Sequence, residues 1–393
     1  MSVPEACDVL IVGGGVVGSA IAYFLTAVEG FHGRVTVVER DPLYERSSSS
    51  LSASAIRQQF ACRANIVASQ FGIDFLRHAG ELLAVDADMP DIALHEAGYL
   101  ILGAEGAHDA FSRRAAHQAS CGVRTRLMDP AALRQAFPWL SLDGIGVGSL
   151  GMDGEGWFDG PGLHLALRRK ARSLGAAYTA GDVVGMRRQH GRIAGVNLAD
   201  GRTIDAGIVV DAAGAWSGAV ARMAGIDLPV APRKRCVFVI ESPARLGNAP
   251  FLFDPSGFWI RPEGQYYICG MHPPLENPQD DFSLDVDHAL FEERLWPALA
   301  HRIPAFEELR MRRAWAGHYD YNLFDQSAVI GPVPDVPNLI LACGFSGHGM
   351  MHAPAAGAAV ADLILCGHYR RIDMSDFAFG RIAAGRPVAE HVY

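Results

Sequence analysis

Residues 8–40, DVLIVGGGVVGSAIAYFLTAVEGFHGRVTVVER, constrain the fold more than any other stretch. Val9-Leu10-Ile11-Val12 is short, apolar and β-branched, the pattern of a parallel strand buried on both faces. Gly13, Gly15 and Gly18 follow at GxGxxG spacing, and residues 16–28 are Ala-rich and apolar around most of their circumference, as a helix packed on a sheet would be. Residues 34–38 read as a second strand that ends in Glu39. In such a unit Gly13 makes the tight turn, Gly15 admits a pyrophosphate to the backbone, and Gly18 lets helix and strand close together. The helix N-terminus, with Val16 and Val17, offers free N–H groups to the phosphates. Glu39 stands about twenty positions after the last glycine, where an acid accepts a ribose hydroxyl. The stretch therefore predicts a dinucleotide site without choosing between FAD and NAD.

The chain has 393 residues, 50% hydrophobic, enough for a large core and for two domains. A charged fraction of 20% suits a compact enzyme, and a net charge of −9 argues against a nucleic-acid surface, which needs a basic stripe. The seven cysteines are scattered and contain no CxxC, as expected of reduced, buried thiols. The first strand begins by about residue 7, with no basic and apolar leader before it, and no run of about 18 apolar residues is present. A cytoplasmic protein without a transmembrane segment is expected, with the Ala-rich residues 353–366 as a buried helix.

The rest of the chain reads as alternating elements. The serine-rich loop 41–55 would pass close to the cofactor through Ser47, Ser48, Ser49, Ser52, Ala53 and Ser54, and brings out Arg57. Helices are expected at 65–85, 109–121 and 161–174, a short one after Asp129-Pro130, and another at 282–302. A strand at 94–102 opens a second region. Residues 144–156 are glycine-rich and cross back between domains. Strands within 177–210 turn at His190-Gly191 and Asp200-Gly201, and lead to VVDAAGAWS, a strand ending in a small-residue turn. Residues 230–240 and 251–269 form strands rich in aromatics, around Arg261. Residues 315–321 and 329–332, and then a strand at 339–342, lead to Gly344-Phe345-Ser346-Gly347-His348-Gly349, another glycine turn before a helix.

Three motifs together, GGGVVG with Glu39, VDAAGAWS and GFSGHG, resemble the D-amino-acid oxidase/sarcosine oxidase family of FAD enzymes. WAGHYDYNLFDQ and GFSGHGMMHAP look closest to a branch containing a flavoprotein that assists mitochondrial complex I assembly. The resemblance implies an α/β fold of two parts. One is a discontinuous Rossmann-like FAD-binding domain (1–85, 150–225 and 312–393). The other is an α+β substrate domain on a mixed sheet (86–149 and 226–311).

The resemblance carries Gly13, Gly15, Gly18 and Glu39, with Arg40 beside it, to the adenosine-diphosphate site. Ala213, Gly214 and Trp216, with Val183, match the central motif. Gly347, His348 and Gly349 match the turn at the flavin pyrimidine ring, joined by Gly317, Gly344, Ser346 and Met350. Arg57 matches the arginine that pairs with the substrate carboxylate.

Two departures matter. Where sarcosine oxidases carry a lysine after the turn, this chain has Met351, which favours a dehydrogenase passing electrons to an acceptor other than oxygen. Gly317-His318-Tyr319 lacks the flavin-linking cysteine, so FAD is expected to be non-covalent. The implied activity is oxidation of the C–N bond of a small, carboxylate-bearing amine, either a secondary or N-methyl amine or a D-amino acid. The alternatives are a 2-hydroxy-acid dehydrogenase and a flavoprotein acting mainly as an assembly factor, with the electron acceptor or assembly partner unidentified. His348 is expected beside the flavin. One of Tyr266 and Tyr267 is expected in the pocket wall, and Arg261 as a second anchor or an interdomain bridge. The i,i+4 pair His348/His352 lacks a third ligand in the sequence nearby, so no metal is expected.

Overall fold

The computed structural model describes residues 5–273, 282–388 and 390. Strand β1 (Ala6–Val12), helix α1 (Val16–Thr26) and strand β2 (Val35–Glu39) form the expected βαβ unit. β1 lies between β2 and the strand Thr203–Asp211, parallel to both, and Thr203–Asp211 pairs parallel with Val336–Cys343. The strands Ala177–Ala180 and Val329–Val333 close this sheet, and the antiparallel hairpin Val183–Gln189/Arg192–Leu198 hangs from it. The turns at His190-Gly191 and Gly201 have positive φ, as their sequences required. The sheet is thus assembled from the beginning, middle and end of the chain.

α1 is covered by the helix Gly349–Cys366, and the two approach closely through small residues: a Cβ on Gly357 would stand 2.8 Å from the Ala20 carbonyl carbon. Gly349–Cys366 is long and apolar enough by composition to cross a membrane, a property the sequence reading had denied to every segment. It is 72% buried and packs on α1 and on Arg63–Arg77, so here it is a core helix.

The second sheet is mostly antiparallel, with the order Arg310–Asn322, Val230–Glu241, Tyr266–Met271, Phe258–Glu263, Phe251–Phe253, Tyr99–Ala104, Ile145–Gly151, Thr125–Met128. One face carries a core of Phe238, Phe258, Ile260, Tyr267, Phe291 and Phe306, and the other looks toward the first sheet. Arg310–Asn322 pairs with Val230–Glu241 along its length, so residues 312–322, expected with the cofactor domain, lie in the second sheet. Ile145–Gly151 likewise runs across the boundary expected at 149/150.

Three elements differ from their expected bounds. The helix expected at 65–85 is Arg63–Arg77 and then Ala79–Leu82, broken at His78. The strand expected from 94 begins at Tyr99, preceded by a single bridge between His95 and Trp157. The helix expected from 282 begins at 288. Ser283 Oγ accepts from the Asp285 amide, and Asp287 Oδ1 accepts from Leu290, so these side chains satisfy the backbone ahead of the helix. The short helix after Asp129 starts as expected, with Asp129 Oδ1 capping Ala132 at 2.8 Å.

Candidate functional site

A continuous cavity of about 570 Å³ runs between the two sheets, from the end of β2 to the inner face of the second sheet. Its first end is made by backbone. Gly13 has φ +97°, and a Cβ there would lie 2.4 Å from the Ala212 carbonyl oxygen. A Cβ on Gly18 would lie 2.0 Å from the Gly13 oxygen; Gly18 does not line the cavity but lets α1 close on β1. The opening amides of α1 have no intrahelical acceptor. That of Val16 donates to Ser49 Oγ at 2.9 Å, so the serine-rich loop caps the helix that follows the glycines. Glu39 accepts from the amides of Gly14 and Asp41, each at 2.8 Å, and burial raises its pKa against those two bonds. Arg40 lies 3.6 Å above the Trp216 ring, and Trp216 stacks on Phe282 at 4.7 Å. Gly15, Val17 and Val183 complete this end. A backbone floor that excludes Cβ atoms, a helix N-terminus and an acid at the end of the second strand fit the adenosine diphosphate of a dinucleotide.

The middle of the cavity is a pair of turns. Ala213 donates to Asp211 Oδ1 at 3.1 Å, and Gly214 takes φ +58°. Burial pushes Asp211 up to about 7 and Asp320 to about 6. Asp320 holds the second turn, accepting from Phe345 N through Oδ2 and from Ser346 N through its carbonyl. Gly347 has φ +98° and would set a Cβ 2.6 Å from the Tyr319 ring. Ser346, Gly347, His348, Gly349 and Met350 line the cavity as expected. Gly344 does not; with φ +71° it shapes the turn behind it. Gly317 touches the loop, where a Cβ would meet Leu51 at 3.0 Å, and Ser48 Oγ donates to the His318 carbonyl at 2.6 Å. Ser47, Ser48, Ser49, Ser52, Ala53 and Ser54 all face the cavity. A cysteine does stand next to this segment: Cys236 lies opposite Ala316 and borders the cavity, and its Sγ accepts from Asp287 N at 3.4 Å.

At the far end Arg57 is buried, with Nη1 donating to the Gln59 carbonyl at 2.6 Å and Nη2 3.2 Å from His348 Nε2. Its guanidinium also covers the Phe60 ring at 3.9 Å. Burial, with the Arg57 charge adding, holds His348 well below its ordinary pKa; it is neutral, and Nε2 accepts from Arg57. His352 Nε2 is spent 2.9 Å from Ser69 Oγ, so the two histidines serve separate partners. Behind Arg57 lies a buried carboxylate that the sequence did not advertise. Glu155 accepts from Gln58 N at 2.6 Å and Gln59 Nε2 at 2.8 Å, and burial raises it to about 7. The opposite wall consists of Tyr99, Phe251, Phe253, Trp259, His272 and Tyr319, with Arg235 among them.

Neither Tyr266 nor Tyr267, one of which is expected in the pocket wall, lines the cavity, and of the two expectations for Arg261 the anchor does not hold. Tyr267 points to the outer core, its hydroxyl bonded to Leu246 N and the Ala244 carbonyl, both at 3.0 Å. Tyr266 shares parity with His272 but sits at the hairpin end opposite Glu263, beyond the cavity. Arg261 does not line the cavity; it pairs with Glu263 and donates to the Ala53 carbonyl at 3.0 Å, tying the second sheet to the serine-rich loop. Arg235 was overlooked, although Cys236, Phe238 and Ile240 mark the opposite, apolar face of its strand.

Residues 8–363 match the family model described as DAO, FAD dependent oxidoreductase. The chain is 42% identical to FAD-dependent oxidoreductase domain-containing protein 1 of Bos taurus, over 99% of this chain and 87% of the relative. It is 25% identical to the mitochondrial sarcosine dehydrogenase of Homo sapiens, over 93% of this chain and 40% of that one. The crystal structure of L-proline dehydrogenase from P. horikoshii superposes with a TM-score of 0.87 at 26% identity, over 98% of this chain and 100% of the other.

Proposed function

The chain belongs to the family of FAD dependent oxidoreductases, and from that premise we propose that it oxidises the C–N bond of a small carboxylate-bearing amine, a secondary or N-methyl amine or a D-amino acid, as a dehydrogenase. The observation that carries this reading is the Arg57–His348 pair at the end of an aromatic-walled cavity continuous with the dinucleotide cradle.

FAD, when bound, supplies the acceptor for the hydride that leaves the substrate carbon. The chain's own groups bind and orient. Gly13, Gly15 and the first amides of α1 would hold the pyrophosphate, and Glu39 the ribose. The N-terminal amides of Gly349–Cys366 would favour negative charge on a flavin bound against them. Arg57 offers a guanidinium fork to the carboxylate. Neutral His348 accepts from that guanidinium and orients it without adding a second positive charge. Tyr99, Phe251, Trp259 and Tyr319 exclude water from the reacting carbon. A neutral amine gives up hydride once positioned, so little acid–base help is needed. The oxidised product is an imine, which water hydrolyses. FAD would be held without a covalent link in this reading, because the sulfur of Cys236, which borders the cavity, is engaged by the Asp287 amide. The dehydrogenase assignment is supported by Met351, whose thioether accepts from Ser69 Oγ at 3.7 Å and offers no charge to assist oxygen.

Anaerobic mixing of the holoenzyme with a panel of N-methyl, cyclic and D-amino acids tests the reading. At least one should bleach the flavin, and reoxidation should be faster with a quinone or dye than with oxygen. Bleaching by 2-hydroxy acids alone would move the assignment to their dehydrogenation. Bleaching by none, with Arg57→Ala leaving the biological role intact, would leave an assembly or interaction role.

A further inference from the structure

Besides Arg57, the aromatic side of the cavity holds a guanidinium for which amine oxidation has given no use. Arg235 lies on Val230–Glu241 opposite Gly317, and it lines the cavity together with Val237. Cys236, Phe238 and Ile240 are packed into the core on the other face, so the pleat leaves Arg235 only the cavity side. Its Nη1 donates to the Lys234 carbonyl at 2.9 Å. Its Nε is buried and has no hydrogen-bond partner among the described residues. Its guanidinium carbon is 5.0 Å from the Tyr319 ring centre.

Burial disfavours the Arg235 charge most, and the groups that act on it most strongly among the described residues are Tyr319, Tyr321, Arg233 and Cys236, none of them a carboxylate. His272 faces it as well, held neutral with a pKa of about 4, chiefly by burial. A cation drawn out of water without a counter-ion is costly unless an anion joins it. Arg235 stands beside the Tyr319 ring, Gly347 abuts the same ring, and the next residue, His348, bonds to Arg57, so both guanidinia border this stretch of cavity. One carboxylate would answer one of them.

We propose that Arg235 is a second anion-binding group of this cavity, and that the substrate is an amine bearing two anionic groups, an N-substituted or D-configured amino dicarboxylate. This rests on the amine-oxidation reading for the bond that reacts, and adds the second charge. One carboxylate lies on Arg57 and the other on Arg235, with the connecting carbons against Phe251, Trp259 and Tyr319.

The holoenzyme is titrated with acetate, propionate, malonate and succinate, following the perturbation of the flavin absorption spectrum. Dicarboxylates should bind at least about 10-fold tighter than the monocarboxylates, the scale of one charge-assisted hydrogen bond. Arg235→Gln should abolish that advantage and leave monocarboxylate binding within about 2-fold, while Arg235→Lys keeps part of it. Flavin content and melting temperature of both variants confirm that they fold. If the glutamine variant does not fold, the preference of the parent and of the lysine variant decides. Equal binding of the two classes by the parent overturns the proposal. So does an Arg235→Gln variant that keeps the preference, or one that shifts only the flavin midpoint potential, the result of a role as counter-charge to the cofactor alone.

Flavin reduction separates this proposal from the one beneath it. Monocarboxylate amines that bleach the flavin as fast as dicarboxylate ones, with Arg235→Gln silent, overturn the second anion site and leave amine oxidation standing. Arg235-dependent dicarboxylate binding without bleaching by any amine does the reverse.

Discussion

The two walls of the cavity recognise by different means. On the side of the first sheet, β1, α1 and β2 meet a ligand with main chain: glycines too close to carbonyls for a Cβ, amides at a helix start, and a carboxylate held by two amides. On the side of the second sheet, recognition is by side chains, with Tyr99, Arg235, Trp259 and Tyr319 arriving from separate strands and His272 from just past the end of another. A backbone cradle requires particular residues in a fixed local order. A side-chain wall requires only that strands of correct parity be laid beside one another. The first arrangement suits an unchanging cofactor, and the second can change substrate without disturbing the fold.

The contrast can be broken by substitution. Gly18→Ala should have the largest effect, because its Cβ would overlap the Gly13 carbonyl. We expect a loss of about 3 kcal/mol together with loss of FAD, read by urea denaturation and flavin absorbance. A variant that keeps stability and flavin would show that helix and strand need not approach so closely. Arg57→Gln should instead retain FAD and slow anaerobic flavin reduction by the best amine about 100-fold, the upper range for a lost charge-assisted bond. An unchanged rate would remove Arg57 from the site.

Glu155 gives a pH signature on the substrate side. Its pKa is 4.5 when unperturbed and about 7 in the fold, raised by burial. Between those values the folded state keeps a proton that the unfolded chain has released. Stability from this group therefore falls as pH rises from 4.5 to 7 and is level outside that window. Glu155→Gln cannot ionise and should flatten the corresponding part of the melting-temperature profile, a change on the order of 1–3 kcal/mol across the window. A profile parallel to that of the parent would place the proton elsewhere. The smallest effect is expected at Tyr267. Tyr267→Phe should cost about 1 kcal/mol, from the bonds to Leu246 and Ala244, and leave flavin reduction unchanged. A slowed reaction would return Tyr267 to the substrate wall.

Legibility followed the same division. Glycine spacing, the serine-rich loop and the turn before Gly349–Cys366 pointed to cavity-lining positions because each is a local backbone requirement. Arg57 was reachable through resemblance, but its Glu155 and Gln59 support was not, because Glu155 lies in a glycine-rich crossing segment nearly a hundred residues on. Tyr266 and Tyr267 misled because alternation fixes the side of a strand but not how far along it the cavity extends. For Arg261 the sequence left anchor and interdomain bridge open, because a buried arginine beside aromatics looks the same whether it meets a ligand or, as here, the Ala53 carbonyl.

The sequence by itself determined the βαβ unit, the dinucleotide cradle and the presence of two further turns able to close on it, because short-range sterics and hydrogen bonding leave those residues few conformations. Only the tertiary structure decided that Arg235 and His272 share a cavity with Arg57, that Arg310–Asn322 belongs to the second sheet, and that an apolar 18-residue helix is core. Those outcomes depend on which strands pair across long separations and on which face the pairing buries, and no local pattern of residues contains that information.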